Sequence, residues 1–153
     1  MSTFFSKSGA SSPIIRRTRS HTRYVTDPST FIYALVSSRD DEHMVWYVGK
    51  SVDVLQRFKV HHLSNSKVAE WIEREHADGF AVRPRLVEEC FHSVGAVERE
   101  THWIGVFRQL NAGLLNTINN TSESHAAHLK KVCNEQRGRL FEDQKWLSQI
   151  LNP

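Results

Sequence analysis

The sequence predicts a single α+β domain, and three observations carry that expectation. Two short apolar runs, Phe31 to Val36 (FIYALV) and Met44 to Val48 (MVWYV), have the length and the β-branched and aromatic content of strands. The segments after them repeat apolar residues every three or four positions, the period of a helix with one buried face. A third apolar run, Leu86 to Phe91 (LVEECF), stands between two such helical segments. The order is therefore strand, strand, helix, helix, strand, helix, in a chain of 153 residues, long enough to bury a real core.

Residues 1 to 28 are rich in Ser, Thr and Arg and end at Asp27-Pro28, where the proline biases its predecessor toward extended backbone. They are expected to form a flexible arm. The polar link from Ser37 to His43 joins the first two strands most simply as an antiparallel hairpin. Tyr47 is expected to end the second strand, with Gly49 turning the chain. Ser51 is the candidate N-cap of a first helix, Asp53 favours its first turn, and Val54, Leu55 and Phe58 give it an apolar face as far as about His62. Leu63 to Ser66 reads as a break. Ser66 then caps a second helix that runs through Val68, Trp71 and Ile72 to Gly79, the expected C-terminal glycine. Pro84 marks the early part of 80–91 as a strand beginning or an edge. Ser93 can cap a third helix whose broad apolar face comprises Ala96, Val97, Trp103, Ile104 and Phe107. After Leu114-Leu115-Asn116 and a polar run, Leu129, Val132, Cys133, Leu140, Leu147, Ile150 and Leu151 recur at helical spacing, with Gly138 a candidate break. The expected organisation is a basic arm over 1–28, a central domain over 29–121 and a C-terminal helical extension over 122–153.

The formal net charge is +3, from 20 Lys and Arg against 17 Asp and Glu, and it is unevenly spread. Five basic residues (Lys7, Arg16, Arg17, Arg19, Arg23) and no acidic one precede Asp27, so the remainder is slightly acidic. A polyanion-binding chain carries a basic footprint, and here Arg16, Arg17, Arg19 and Arg23 supply it. The plain alternative is a solvated tail with no partner; the likeness of this segment to an organelle transit peptide is superficial. Cys90 and Cys133 are far apart and lack a Cys-x-x-Cys context, which argues against a zinc ribbon or a disulfide framework and for reduced thiols in a cytoplasmic setting. No apolar run approaches the roughly 20 residues of a membrane helix.

One stretch concentrates the chemistry. Arg57 and His61 lie four apart, on one face of the first helix, shortly after Trp46-Tyr47-Val48-Gly49-Lys50-Ser51. A guanidinium matches the fork of a phosphate, and an imidazole donates to or accepts from an oxygen. Glu100 falls inside the apolar face of the third helix, four residues after Ala96 and three before Trp103, so it is expected to be more buried than Glu98 or Arg99. A buried carboxylate requires a cation. The plain reading is that a nearby Arg or Lys neutralises it without chemistry.

Taken together, Ile32-Tyr33, Tyr47-Val48-Gly49, Arg57, His61, Glu98-Arg99-Glu100 with Trp103-Ile104, and Leu115-Asn116 resemble, in order and spacing, the GIY-YIG nuclease family. The first motif reads Phe31-Ile32-Tyr33, without the family's glycine. The resemblance covers about residues 31 to 120. It implies a small three-stranded antiparallel sheet flanked by helices, and hydrolysis of a DNA phosphodiester with one divalent ion, Mg²⁺ or Mn²⁺, leaving a 5′-phosphate and a 3′-hydroxyl. Tyr33 and Tyr47 match the paired tyrosines, Arg57 the arginine of the first helix, His61 the histidine one turn on, Glu100 the metal-binding carboxylate and Asn116 the asparagine after the third helix. Lys50 stands where a basic residue could assist. In this reading Arg57 and Lys50 face the DNA phosphate, Tyr47 is the general base or positions the water, and Tyr33 and His61 orient the water or relay its proton. Family members act in restriction, homing, repair and phage attack on host DNA, which implies a bacterial or phage-infected cell. The alternative is a non-catalytic module of the same fold that binds nucleic acid or a protein. The C-terminal helices are a candidate homodimer contact, which would suit a palindromic site.

Overall fold

The computed structural model describes residues 29–61, 66–91, 93–116 and 129–153. The arm, including Arg16, Arg17, Arg19 and Arg23, lies outside them, as do His62 to Asn65, the polar run after Asn116 and the side chain of Ser93. Three strands, β1 (Thr30–Ser37), β2 (Val45–Ser51) and β3 (Val82–Cys90), form one antiparallel sheet in the order β2-β1-β3. Four helices flank it: α1 (Val54–His61), α2 (Lys67–Ala77), α3 (Ser93–Leu110) and α4 (Leu129–Leu151). The α+β class and the three-stranded antiparallel sheet are as the sequence predicts.

β1 is central, and Phe31 through Val36 are all fully buried, which explains their unbroken apolar run. Its side chains alternate between two cores. Ile32, Ala34 and Val36 pack with Val48, Val87 and the α3 residues Ala96, Trp103 and Phe107. Phe31, Tyr33 and Leu35 pack with Tyr47, Val54 and the α2 residues Val68, Trp71 and Ile72. Each fully buried side chain of this size stabilises the fold by about 1.5–3 kcal/mol. β1 and β2 shift register between Leu35 and Val36, where Trp46 becomes the extra residue immediately before Tyr47. A second irregularity, opposite Val87, lies between Ile32 and Tyr33. Such bulges bend a strand and re-aim its side chains.

Several local expectations change. β2 does not end at Tyr47: it continues through Gly49 and Lys50 to Ser51, so Gly49 is a strand residue rather than a turn. Ser51 is not the helix cap; Asp53 is, its Oδ1 accepting from Gln56 N at 3.2 Å. β3 begins at Val82 and includes Pro84, which an edge strand tolerates because it need not donate outward. Leu55 and Val97, assigned to apolar faces, are about half exposed. Ser66 does cap α2, accepting from Ala69 N at 3.2 Å, and Gly79 ends it with φ +88°, a left-handed conformation that favours glycine.

Gly138 does not break the C-terminal segment, since α4 is one continuous helix. α4 lies along β3 and adds Cys133 and Leu140 to one core and Trp146 and Leu147 to the other. Its apolar side thus packs on the chain's own sheet, and these contacts lend no support to a homodimer through that side. Gln136 and Asp143 sit on the same buried side. Asp143 Oδ2 accepts from Leu86 N at 2.8 Å, and Oδ1 accepts from Arg85 at 2.7 Å. Both cysteines are buried thiols, and no helix among the described residues is long and apolar enough to cross a membrane.

Candidate active site

Tyr33 and Tyr47 project from neighbouring strands to the face covered by α1 and α2. Their ring centroids are 6.3 Å apart, and the Tyr47 ring stands edge-on to His61 at 5.1 Å. The Tyr33 hydroxyl and His61 Nε2 are 2.7 Å apart, and the Arg57 guanidinium is near enough to the phenol to act on it electrostatically. One turn of α1 separates Arg57 from His61, so both reach Tyr33, as their spacing predicts. Desolvation by burial pushes the Tyr33 phenol well above its ordinary value of 10, and the charges at Tyr47 and Glu100 push the same way; Arg57 opposes them by its charge. Tyr33 therefore stays protonated at neutral pH. Its O–H donates to His61 Nε2 when that nitrogen carries no proton and the oxygen accepts from it when it does.

Lys50 belongs to the other half of the site. Consecutive strand residues face opposite ways, and Lys50 pairs across the sheet with Ile32, on the α3 side. Its Nζ lies 3.3 Å from Glu100 Oε2 on α3. Glu100 is buried, whereas Glu98 is exposed and Arg99 half-buried, as the helical register requires. Gly49 separates the two halves. It pairs with Tyr33, and a Cβ built on Gly49 would lie 2.6 Å from both Cζ and Oη of the Tyr33 ring. Its missing side chain is the seat of the phenol.

Asn116 returns from the far side of α3 to the outer edge of β2. Its Oδ1 accepts from Val48 N at 2.8 Å and its Nδ2 donates to Val48 O at 2.6 Å, while Leu115 N donates to Trp46 O at 2.8 Å. Asn116 thus acts on the backbone between Tyr47 and Gly49, where it replaces a missing strand. Asn116→Ala strands two backbone groups, each worth about 1–3 kcal/mol when left unsatisfied in a buried position. We expect a destabilisation of about 2–4 kcal/mol in urea melts, with a fall in any Tyr47-dependent activity. A variant with unchanged stability would mean that solvent replaces the amide freely.

Gln136 also positions the site, and the sequence reading missed it. Its Oε1 accepts from Val54 N at 2.7 Å and its Nε2 donates to Val52 O at 3.0 Å, so α4 fixes the start of the helix that carries Arg57 and His61. The signal was available. Gln136 lies three residues after Cys133 and four before Leu140, inside an apolar face, the placement that singled out Glu100. A separate cleft of about 380 Å³, lined by Glu42, Arg85 and Trp146 among others, lies elsewhere, and Arg85 is already paired there with Glu42 and Asp143.

The family model for the GIY-YIG catalytic domain matches residues 29–116. The chain belongs to the GIY-YIG family. Neither the curated proteins nor the solved structures contain a match. The GIY-YIG match runs from the start of β1 to Asn116, so Tyr33, Tyr47, Lys50, Arg57, His61 and Glu100 all fall inside it, whereas Gln136 and the rest of α4 lie beyond. A GIY-YIG domain is a nuclease-type catalytic domain that implies a DNA substrate and, in general, a divalent metal. The donor set here suits such an ion. Glu100 is a single buried carboxylate that already faces a cation, and the described residues contain no cluster of three His, Cys, Asp or Glu side chains. One carboxylate, with water and phosphate oxygens completing the shell, is how Mg²⁺ or Mn²⁺ is held. Zinc sites draw three or four ligands from the protein.

Proposed function

We propose that this GIY-YIG protein is a divalent-metal-dependent DNA endonuclease. The observation that carries the reading is the convergence of Tyr33, Tyr47, Arg57 and His61 on one point of the sheet, close enough to Glu100 for its charge to act on the Tyr33 phenol. Glu100 would hold a Mg²⁺ or Mn²⁺ ion, which would supply positive charge to the scissile phosphate and to the water. Arg57, half-buried at the rim, binds the non-bridging phosphoryl oxygens and stabilises the charge that builds on them. Tyr47 accepts the water proton or orients the water, and His61, edge-on to Tyr47, relays the proton toward solvent. Tyr33, neutral, hydrogen-bonded to His61 and close to Arg57, positions that end of the site. Water oxygen bonds to phosphorus, the bond to the 3′ oxygen breaks, and that oxygen takes up a proton, giving a 5′-phosphate and a 3′-hydroxyl.

Supercoiled plasmid incubated with Mg²⁺, Mn²⁺ or EDTA tests the proposal directly. Wild-type protein is expected to nick or linearise it only with metal, and Arg57→Ala to lose about a hundredfold or more of the rate. Inactivity of the wild type on plasmid, branched and modified DNA alike would leave the fold as a binding module. The arm enters the same reading as a phosphate grip, since the rest of the chain carries more acidic than basic residues. Deleting residues 1–26 is expected to weaken DNA binding and flatten its salt dependence, by a slope of up to about 0.9 for each DNA phosphate that the arm neutralises. An unchanged slope would make the arm a bystander.

A further inference from the structure

Five carboxylate side chains among the described residues are buried: Glu75, Glu88, Glu89, Glu100 and Asp143. Four of them face arginine, Glu75 with Arg39 at 3.0 Å and Glu88, Glu89 and Asp143 with Arg99, Arg137 and Arg85 at 2.7 Å. Glu100 faces the Lys50 ammonium at the longer distance of 3.3 Å. The chemical difference is large. A guanidinium matches the carboxylate plane and forms directional bonds, as when Arg99 Nε reaches both oxygens of Glu88 at 2.7 and 3.0 Å. An ammonium is a compact charge on a flexible stem, able to swing away without breaking a planar match. The chain therefore uses its rigid cation at the structural carboxylates and its movable one at the carboxylate of the active site.

Both members of the Lys50–Glu100 pair are shielded, with side-chain exposures of 10% and 7%, so their fields are only weakly screened. A divalent ion approaching Glu100 meets a positive charge a few ångströms from its own seat. We propose that Lys50 is a built-in competitor for the metal at Glu100, which holds the divalent-ion affinity of the free protein low until the ammonium leaves the carboxylate. This inference rests on the reading of Glu100 as the residue that holds the metal. Lys50 is then a positioning residue whose effect is visible in metal binding itself, without DNA and without turnover.

The test is Mn²⁺ binding to the full chain, followed by the electron paramagnetic resonance of the free ion, with circular dichroism to verify folding. Lys50→Met and Lys50→Gln are expected to bind Mn²⁺ at least about tenfold more tightly than wild type, because a unit charge this close to a divalent ion outweighs that factor even at a protein-like dielectric. Lys50→Gln keeps a hydrogen-bond donor for Glu100, so it serves if Lys50→Met does not fold. Lys50→Arg, which restores the charge, should bind no more tightly than wild type, and Glu100→Gln in the Lys50→Gln background should abolish the gain. Neutral variants that bind Mn²⁺ no better than wild type, while Glu100→Gln weakens binding, would overturn the competitor role and leave Glu100 as the metal residue. Unchanged Mn²⁺ affinity in Glu100→Gln would overturn the underlying reading instead.

Discussion

Glu100→Ala is expected to lower metal-dependent plasmid cleavage by about a thousandfold or more, because it removes the carboxylate proposed to hold the metal at the scissile phosphate. DNA binding should survive. A buried carboxylate makes no favourable contact with a phosphate, and Arg57 is untouched by the change. The variant also leaves Lys50 without its partner on α3, so Glu100→Gln, which keeps the shape, is the companion that separates lost chemistry from altered packing. Cleavage rates and fluorescence-anisotropy binding curves on one DNA together decide the outcome. A fully active Glu100→Ala protein would remove the proposed metal ligand and with it the assignment of the catalytic ion to α3.

Gly49→Ala is expected to damage stability and activity at once. The new methyl would sit 2.6 Å from Cζ and Oη of Tyr33, a ring that is fully buried in the central strand. Overpacking of this kind costs about 1–3 kcal/mol, measurable as a lower urea midpoint. A shift of the ring away from the methyl is expected to disturb its 2.7 Å contact with His61. Displacing a catalytic group by about 1 Å lowers rates roughly a hundredfold, so cleavage should fall further than stability alone explains. Wild-type stability and activity in Gly49→Ala would mean that the strand pairing at Tyr33 is looser than the geometry implies.

The grouping of the candidate residues was legible because it follows from two local periods. Alternation along β1 and β2 sets Tyr33 and Tyr47 on one face, and the 3.6-residue repeat of α1 aligns Arg57 with His61. The same repeat buried Glu100 in α3. Other features depend on partners distant in the chain. Asn116 acts on Val48, 68 residues away, and Gln136 on Val54, 82 residues away, so neither role could be read from neighbouring residues. Gly49 misled because a glycine after a strand fits a tight turn and a close ring contact equally well. The extra residue at Trp46 carries no signal of its own, since a bulge changes pairing without changing composition. Gly138 cost α4 too little helix propensity to divide it against two cores that both hold it.

The sheet has partners along both outer margins. Leu115, Asn116 and Asn111 occupy Trp46 O, both polar groups of Val48 and Val45 O on the β2 side, and Asp143 takes Leu86 N on the β3 side. An open margin is a template on which a foreign strand can grow, whether in domain exchange or in fibrils. Here the template is filled at those positions by side chains and a helix. At those positions, strand addition first requires the 111–116 segment or α4 to peel away. Crowded, partly heated preparations should accordingly remain free of cross-β material until that local opening occurs.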